Sequence, residues 1–220
     1  DLAWSPDGRF LAYVAPAANA FRRIRIWSAD DGKIHDLTSD RFESWSPAFS
    51  PDGKWIYFLS DRNLVSTVTS PWGSYAPEPF FAKATKVYHL PLTPGVRSPW
   101  APQDELHAED KKEEEKKDDV KDKTKERDKE KKEKKEKEVR VALDPAGLME
   151  RLREVPIPPG NYDDLSVADK ALFFLSTPAG ETKVALQGVA VARQDVKVET
   201  VVEDVTRAEL SGDGKTLLVR

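Results

Sequence analysis

The sequence predicts an all-β chain: a partial β-propeller of four-stranded antiparallel blades, interrupted by a long charged insertion. Three observations predict it. A hairpin unit recurs at a step of 45 residues, its turn carries the residues that a tight hairpin requires, and the block Glu109–Glu138 is ionisable at every position except Val120 and Thr124.

The repeat is read first, because self-similarity at 40 to 45 residues is the mark of propeller blades. Leu2-Ala-Trp-Ser-Pro-Asp-Gly-Arg-Phe-Leu-Ala-Tyr-Val14 returns as Ala48-Phe-Ser-Pro-Asp-Gly-Lys-Trp-Ile-Tyr-Phe-Leu59, with turns starting at Ser5 and Ser50. A second pair, Leu165-Ser-Val-Ala-Asp-Lys-Ala-Leu-Phe-Phe-Leu175 and Leu210-Ser-Gly-Asp-Gly-Lys-Thr-Leu-Leu-Val219, keeps the same step when Ser166 is set against Ser211. In the turn, Pro presets φ at the first central position, Asp suits the second, and Gly accepts the left-handed conformation that closes the hairpin. The arm after the turn, as in Trp55-Ile-Tyr-Phe-Leu59, is aromatic and branched, which suits a strand buried between neighbouring sheets. Beyond it come Arg23-Ile-Arg-Ile-Trp27, the turn Asp30-Asp-Gly32 and Lys33-Ile-His-Asp-Leu37, which complete four strands per period.

From Ser50 to Ser166 the interval is too long for one blade, and two insertions account for most of the excess. The first, Arg62 to Lys83, separates the strand at Trp55 from the one at Val87-Tyr-His-Leu90. The second runs from Thr93 to Glu138, after which Val139–Leu143 and Gly147–Val155 resume one enlarged blade. Leu148, Met149 and Leu152 also have helical spacing, so a short helix over Ala146–Glu154 stands as an equal alternative. The expected organisation is therefore propeller blades over 1–108, a charged insertion over 109–138 and further blades over 139–220. With a single apolar residue, the charged block has no face to pack, and a disordered, solvated loop is expected there; i,i+4 pairs such as Glu113 with Lys117 would support an isolated helix only weakly.

Composition narrows the function. The charged block holds 14 basic and 14 acidic residues, so the net charge of −4 belongs entirely to the remaining chain. A mildly acidic surface does not attract a polyanion, and no nucleic-acid partner is expected. Without cysteine, neither a disulfide framework nor a thiolate metal site can form. No apolar run approaches the 18 or so residues that span a bilayer, so no membrane partner is expected either. The chain opens at Asp1, not at a methionine, which predicts a natural N-terminus upstream.

The search for chemistry leaves no catalytic, cofactor-binding or metal-binding residue. His35, His89 and His107 fall in a strand, a strand and a loop without metal-ligand spacing, and read as surface or strand histidines. There is no Gly-x-Ser-x-Gly elbow and no phosphate-cradling glycine loop. Asp7, Asp52 and Asp213 recur at one place, but a turn residue explains them better than calcium ligation or catalysis, since one carboxylate per blade leaves them far apart. Trp4, Trp27, Trp45 and Trp55 lie in the repeated strands and are expected to pack between blades, with Trp72 and Trp100 as exceptions in the insertions. Ser70-Pro-Trp-Gly-Ser-Tyr75 has the composition of a binding loop.

Phe58-Leu-Ser-Asp-Arg-Asn-Leu64, Lys86-Val-Tyr-His-Leu-Pro-Leu92 and Val155-Pro-Ile-Pro-Pro-Gly-Asn-Tyr162 resemble the tricorn protease family, most closely the later blades of the second propeller of its bacterial members. The likeness covers most of the chain outside the charged block. It implies a large cytoplasmic, homo-oligomeric serine peptidase, with a periplasmic location as the alternative. In such an enzyme the propeller guides oligopeptide substrates to a catalytic domain elsewhere in the same protein. That domain's serine and histidine map to no position here. The Ser-Pro-Asp-Gly hairpin also occurs in TolB-like propellers and in the propellers of prolyl oligopeptidase relatives, so a non-catalytic interaction propeller is the second expectation.

Overall fold

The computed structural model describes residues 1–66, 81–102, 139–192, 196–212 and 214–220. Asp1–Trp100 and Val139–Arg220 together form one compact unit, separate from Ala101–Glu138. Within it the strands make consecutive antiparallel meanders: β1 (Leu2–Trp4), β2 (Phe10–Pro16), β3 (Arg22–Ser28) and β4 (Ile34–Asp36) form the first sheet. The second comprises β5 (Ser44–Phe49), β6 (Trp55–Ser60), β7 (Lys86–Pro91) and β8 (Arg153–Glu154). The third comprises β9 (Tyr162–Val167), β10 (Ala171–Ser176), β11 (Ala185–Ala190) and β12 (Val198–Val202), and β13 (Ala208–Leu210) pairs with β14 (Leu217–Val219). The first strand of each sheet lies beside its counterpart in the next: β5 touches β1 and β9, and β13 touches β9. These are propeller blades with their inner strands side by side, as the repeat predicts.

Strand alternation explains how the blades hold together. Along β6, Ile56 and Phe58 point into a core shared with Phe10, Ile24 and Ile26 of the first blade. Trp55, Tyr57 and Leu59 point the other way, into a core shared with Leu165, Leu172 and Phe174 of the third. All six β6 residues are buried, and the period of two sends its five apolar side chains into two cores. The run reads as continuous apolar sequence because both faces are covered.

Four expectations need amending. The hairpin of the third blade turns at Ala168, where the Ala168 N–H donates to the Ala171 carbonyl, and not at Ser166. Its counterpart in the next unit is Ser211, so the second step is 43 residues (168 to 211) and not 45. A shorter turn accounts for the shift: the Ala168 N–H reaches the carbonyl three positions on, whereas the Ser5, Ser50 and Ser211 N–H groups reach Phe10, Trp55 and Thr216, five positions on. Second, Ala146–Glu154 is not a helix but a single 3₁₀ turn at Leu148–Arg151 that leads into β8, which completes one enlarged blade. Third, no blade within residues 1–220 covers Trp4: it is about half exposed and meets Trp27 edge-on at 6.5 Å, on the flank of the first blade opposite the second. Fourth, Trp100 is not an exception but belongs to the core between blades 2 and 3. The charged block, His107, Trp72, Asp213 and Ser70–Tyr75 lie outside the described residues.

Candidate functional site

The meander assigns every connection to one of two faces. Hairpins β1–β2, β5–β6, β9–β10 and β13–β14 turn on one face, and the connection from β7 to β8, which carries the second insertion, leaves from the same side. The connection from β6 to β7, which carries the first insertion, lies on the opposite face with the blade-to-blade linkers and the N-terminal ends of the inner strands. The two insertions thus root on opposite faces.

On the hairpin face the recurring aspartates do turn work. Asp7 Oδ1 accepts from the Ser5 hydroxyl at 2.6 Å and the Arg9 N–H at 3.2 Å, and Asp52 Oδ1 accepts from the Ser50 hydroxyl at 2.5 Å and the Lys54 N–H at 3.1 Å. Asp7 does something more: its Oδ2 accepts the N–H of Val141 at 2.7 Å, tying the returning chain to the first blade's turn. Hydrogen bonds of this kind, Ser5 foremost, hold the Asp7 carboxyl below its usual range against the opposing effect of burial. Val139 and Val141 then lie against Gly53, where a Cβ would come within 2.7 Å of Val141 Cγ2. Among the described residues no three His, Asp or Glu side chains come together as metal donors.

His89 roots the departing side of the same insertion. It is fully buried in β7, ringed by Trp55, Tyr57 and Trp100 at centroid distances of 5.3, 5.9 and 5.0 Å, and its Nε2 lies 2.7 Å from Ser98 Oγ. Burial, helped by the Arg153 charge, pushes its pKa down to about 4 and keeps the ring neutral. The strand-histidine reading holds here, and the ring clamps the start of the insertion to the blade.

On the opposite face the inner strands bulge at matching places. Ser46 in β5 and Asp164 in β9 take φ values of 47° and 52°, each four positions before its hairpin turn. Each bulge is tied to a neighbouring blade, since Asp1 Oδ2 accepts from the Ser46 N–H at 3.1 Å and Trp45 Nε1 donates to Asp163 Oδ1 at 3.1 Å. Arg22 lies 4.5 Å over the Trp45 ring and pairs with Glu43 at 2.8 Å, holding that carboxyl low. Burial first, then Asp163, raises the Asp164 carboxyl. Nothing in the residue pattern announces these ties, because the Trp45–Asp163 partners are 118 positions apart and on different blades.

Two clefts flank this framework. One, about 580 Å³, opens by the hairpin face between Arg9, Lys33 and Arg140, but Arg9 is paired with Asp30 and Lys33 with Asp31. The other, about 460 Å³, lies between blades 2 and 3 on the opposite side, walled by Pro158–Tyr162 and Ser176–Ala179 and open to Lys83 and Gln187.

Comparison with known proteins agrees with this architecture. The family model described as the tricorn protease second β-propeller domain matches residues 1–220. Tricorn protease homolog 1 of Streptomyces coelicolor is 26% identical over 234 aligned positions, covering 99% of this chain and 20% of that protein. The crystal structure of the tricorn protease superposes with a TM-score of 0.74 at 22% identity, over 100% of this chain and 20% of the other. TolB from Acinetobacter baumannii gives 0.54 at 15% identity, over 100% of this chain and 36% of its own. The chain spans about a fifth of the length of its tricorn relatives. With the matched model covering all 220 residues, the chain belongs to the family of tricorn protease second β-propeller domains.

Proposed function

We propose that this chain is the non-catalytic propeller segment of a tricorn-like serine peptidase, guiding oligopeptides toward a catalytic domain outside residues 1–220. The observation that carries the reading is the row of inner strands β1, β5, β9 and β13, which stand side by side as the wall of a propeller channel in a chain of this family. The bulges at Ser46 and Asp164, cross-tied through Asp1 and Trp45, stiffen one mouth of that wall. A rigid narrow opening admits an extended chain and turns away a folded one. The chain supplies no catalytic, cofactor or metal residue to the reaction; its partners are the peptide, the other domains of its own protein and further copies of a homo-oligomer, in the cytoplasm.

The test compares the full-length protein with residues 1–220 alone. Full-length protein is expected to hydrolyse short unstructured peptides and spare folded proteins, and replacing its downstream serine nucleophile is expected to abolish turnover. Hydrolysis by residues 1–220 alone overturns the assignment of catalysis elsewhere. An inert full-length chain favours the second reading, an interaction propeller of the fold shared with TolB.

A further inference from the structure

Of the two clefts, the one between blades 2 and 3 is preformed and, among the described residues, sets a cation in its lining with no carboxylate beside it. The Tyr162 hydroxyl donates to the Pro158 carbonyl at 2.8 Å and folds the ring back over Gly160, where a Cβ would lie 2.4 Å from Tyr162 Cε1. Only glycine admits that approach. The facing wall is pinned by a reciprocal pair, the Thr177 N–H to the Asn161 carbonyl at 3.0 Å and Asn161 Nδ2 to the Thr177 carbonyl at 3.2 Å. Gly160 and Thr85 exchange two further backbone bonds, at 2.9 and 3.0 Å, which fix the linker to the base of the first insertion.

Into this rigid slot open one cation and one free amide. Among the described residues Lys83 is the sole charged one lining it, and none of them is a carboxylate. Among the described residues the Lys83 ammonium has no ion pair, whereas Arg9 and Lys33 in the other cleft are neutralised by Asp30 and Asp31. Gln187 brings an amide that can both donate and accept, and Pro158, Tyr162 and Pro178 supply apolar walls. A lone cation beside an amide and proline-aromatic walls matches the carboxyl end of a peptide: carboxylate to lysine, last amide to glutamine, terminal side chain between the walls.

We propose that the cleft between blades 2 and 3 is a docking subsite for the C-terminal end of an extended oligopeptide, whose carboxylate Lys83 holds. The proposal rests on the peptide-handling reading above and adds the end of the peptide that is recognised. The slot stands on the face that bears the first insertion and the tied strand mouths, so a peptide held there is anchored beside the channel opening.

The experiment uses the full-length protein and an acetylated pentapeptide carrying a benzophenone side chain next to a free C-terminal carboxylate. After brief irradiation, cross-links are mapped by mass spectrometry. Labelling is expected within 158–162 or 176–179. It is expected to fall about tenfold for the C-terminal amide and about tenfold for Lys83→Gln with the free acid, the effect of one charge-assisted hydrogen bond. Lys83→Arg is expected to restore most of it, and Lys83→Gln is expected to leave labelling by the amide unchanged. Equal labelling by acid and amide, labelling confined to other segments, or indifference to Lys83→Gln each overturns the proposal. An amide with an internal Asp that labels as well as the free acid overturns the terminal-carboxylate assignment. Hydrolysis of the same peptides is followed in parallel: hydrolysis without labelling at the cleft refutes the subsite alone, and labelling there without hydrolysis refutes the peptidase reading alone.

Discussion

His89 shows how one side chain couples the fold to pH. Its folded pKa of about 4 lies below the free value of 6.5, so the folded chain refuses a proton that the unfolded chain accepts. Above pH 6.5 both states carry a neutral ring and no stability is lost on this account. As pH falls from 6.5 toward 4, stability is expected to decline by about 1.4 kcal/mol per unit, to a total of roughly 3 kcal/mol below pH 4. The urea midpoint measured between pH 7 and pH 5.5 tests this, because few carboxylates titrate in that window. His89→Phe, which keeps an aromatic ring among Trp55, Tyr57 and Trp100, is expected to flatten the profile; an unchanged slope in that variant assigns the dependence to another group. Nothing in the sequence distinguished His89 from His35, since burial depends on Trp100 folding back across an insertion.

At the scale of elements, identical turn sequences meet different surroundings. Gly8 and Gly53 hold the same place in their hairpins with φ near 69° and 68°, yet the first faces open space and the second lies under Val139 and Val141. Gly8→Ala therefore meets only the backbone cost of a left-handed alanine, on the order of 1 kcal/mol. Gly53→Ala meets that cost plus a Cβ contact of only 2.7 Å with Val141 Cγ2, and is expected to lose a further 1 to 3 kcal/mol or so. Urea unfolding of the two variants side by side checks the ordering, and equal midpoints would show that Val139–Leu143 does not lie on the second turn in solution. The comparison also marks what the sequence made legible. Turn chemistry and strand period located β1 to β7 and the enlarged second blade, because both signals are local. The bulges at Ser46 and Asp164 and the path of Val139–Leu143 are held by contacts between blades. No local signal carries them, and the peptide cleft was missed for the same reason, its walls coming from two blades and a linker.

For the whole molecule, the flanks matter as much as the faces. Blades stack through apolar faces, and here the first blade shows Leu2, Trp4 and Ile34 on one flank, while Leu218 of β14, whose neighbours Leu217 and Val219 pack toward the third blade, is exposed at the other end of the row. Exposed apolar surface of this kind is what a neighbouring blade covers in a propeller. Residues 1–220 taken as a separate polypeptide therefore present two unlike flanks, each shaped to receive a blade. Contacts between unlike surfaces are heterologous, so they build chains or rings and do not stop at a dimer. Sedimentation velocity of that polypeptide is expected to show a coefficient that rises with concentration. Placing a charge at the centre of each flank, Trp4→Asp with Leu218→Asp, is expected to return it toward a monomer without unfolding it, since both side chains are more than half exposed. In the full-length protein the same pair of substitutions should act differently, destabilising the ring instead of dispersing an oligomer, because there each carboxylate would be buried against an adjoining blade. A wild-type polypeptide that sediments as one monomer at every concentration would mean that these flanks are not interblade surfaces.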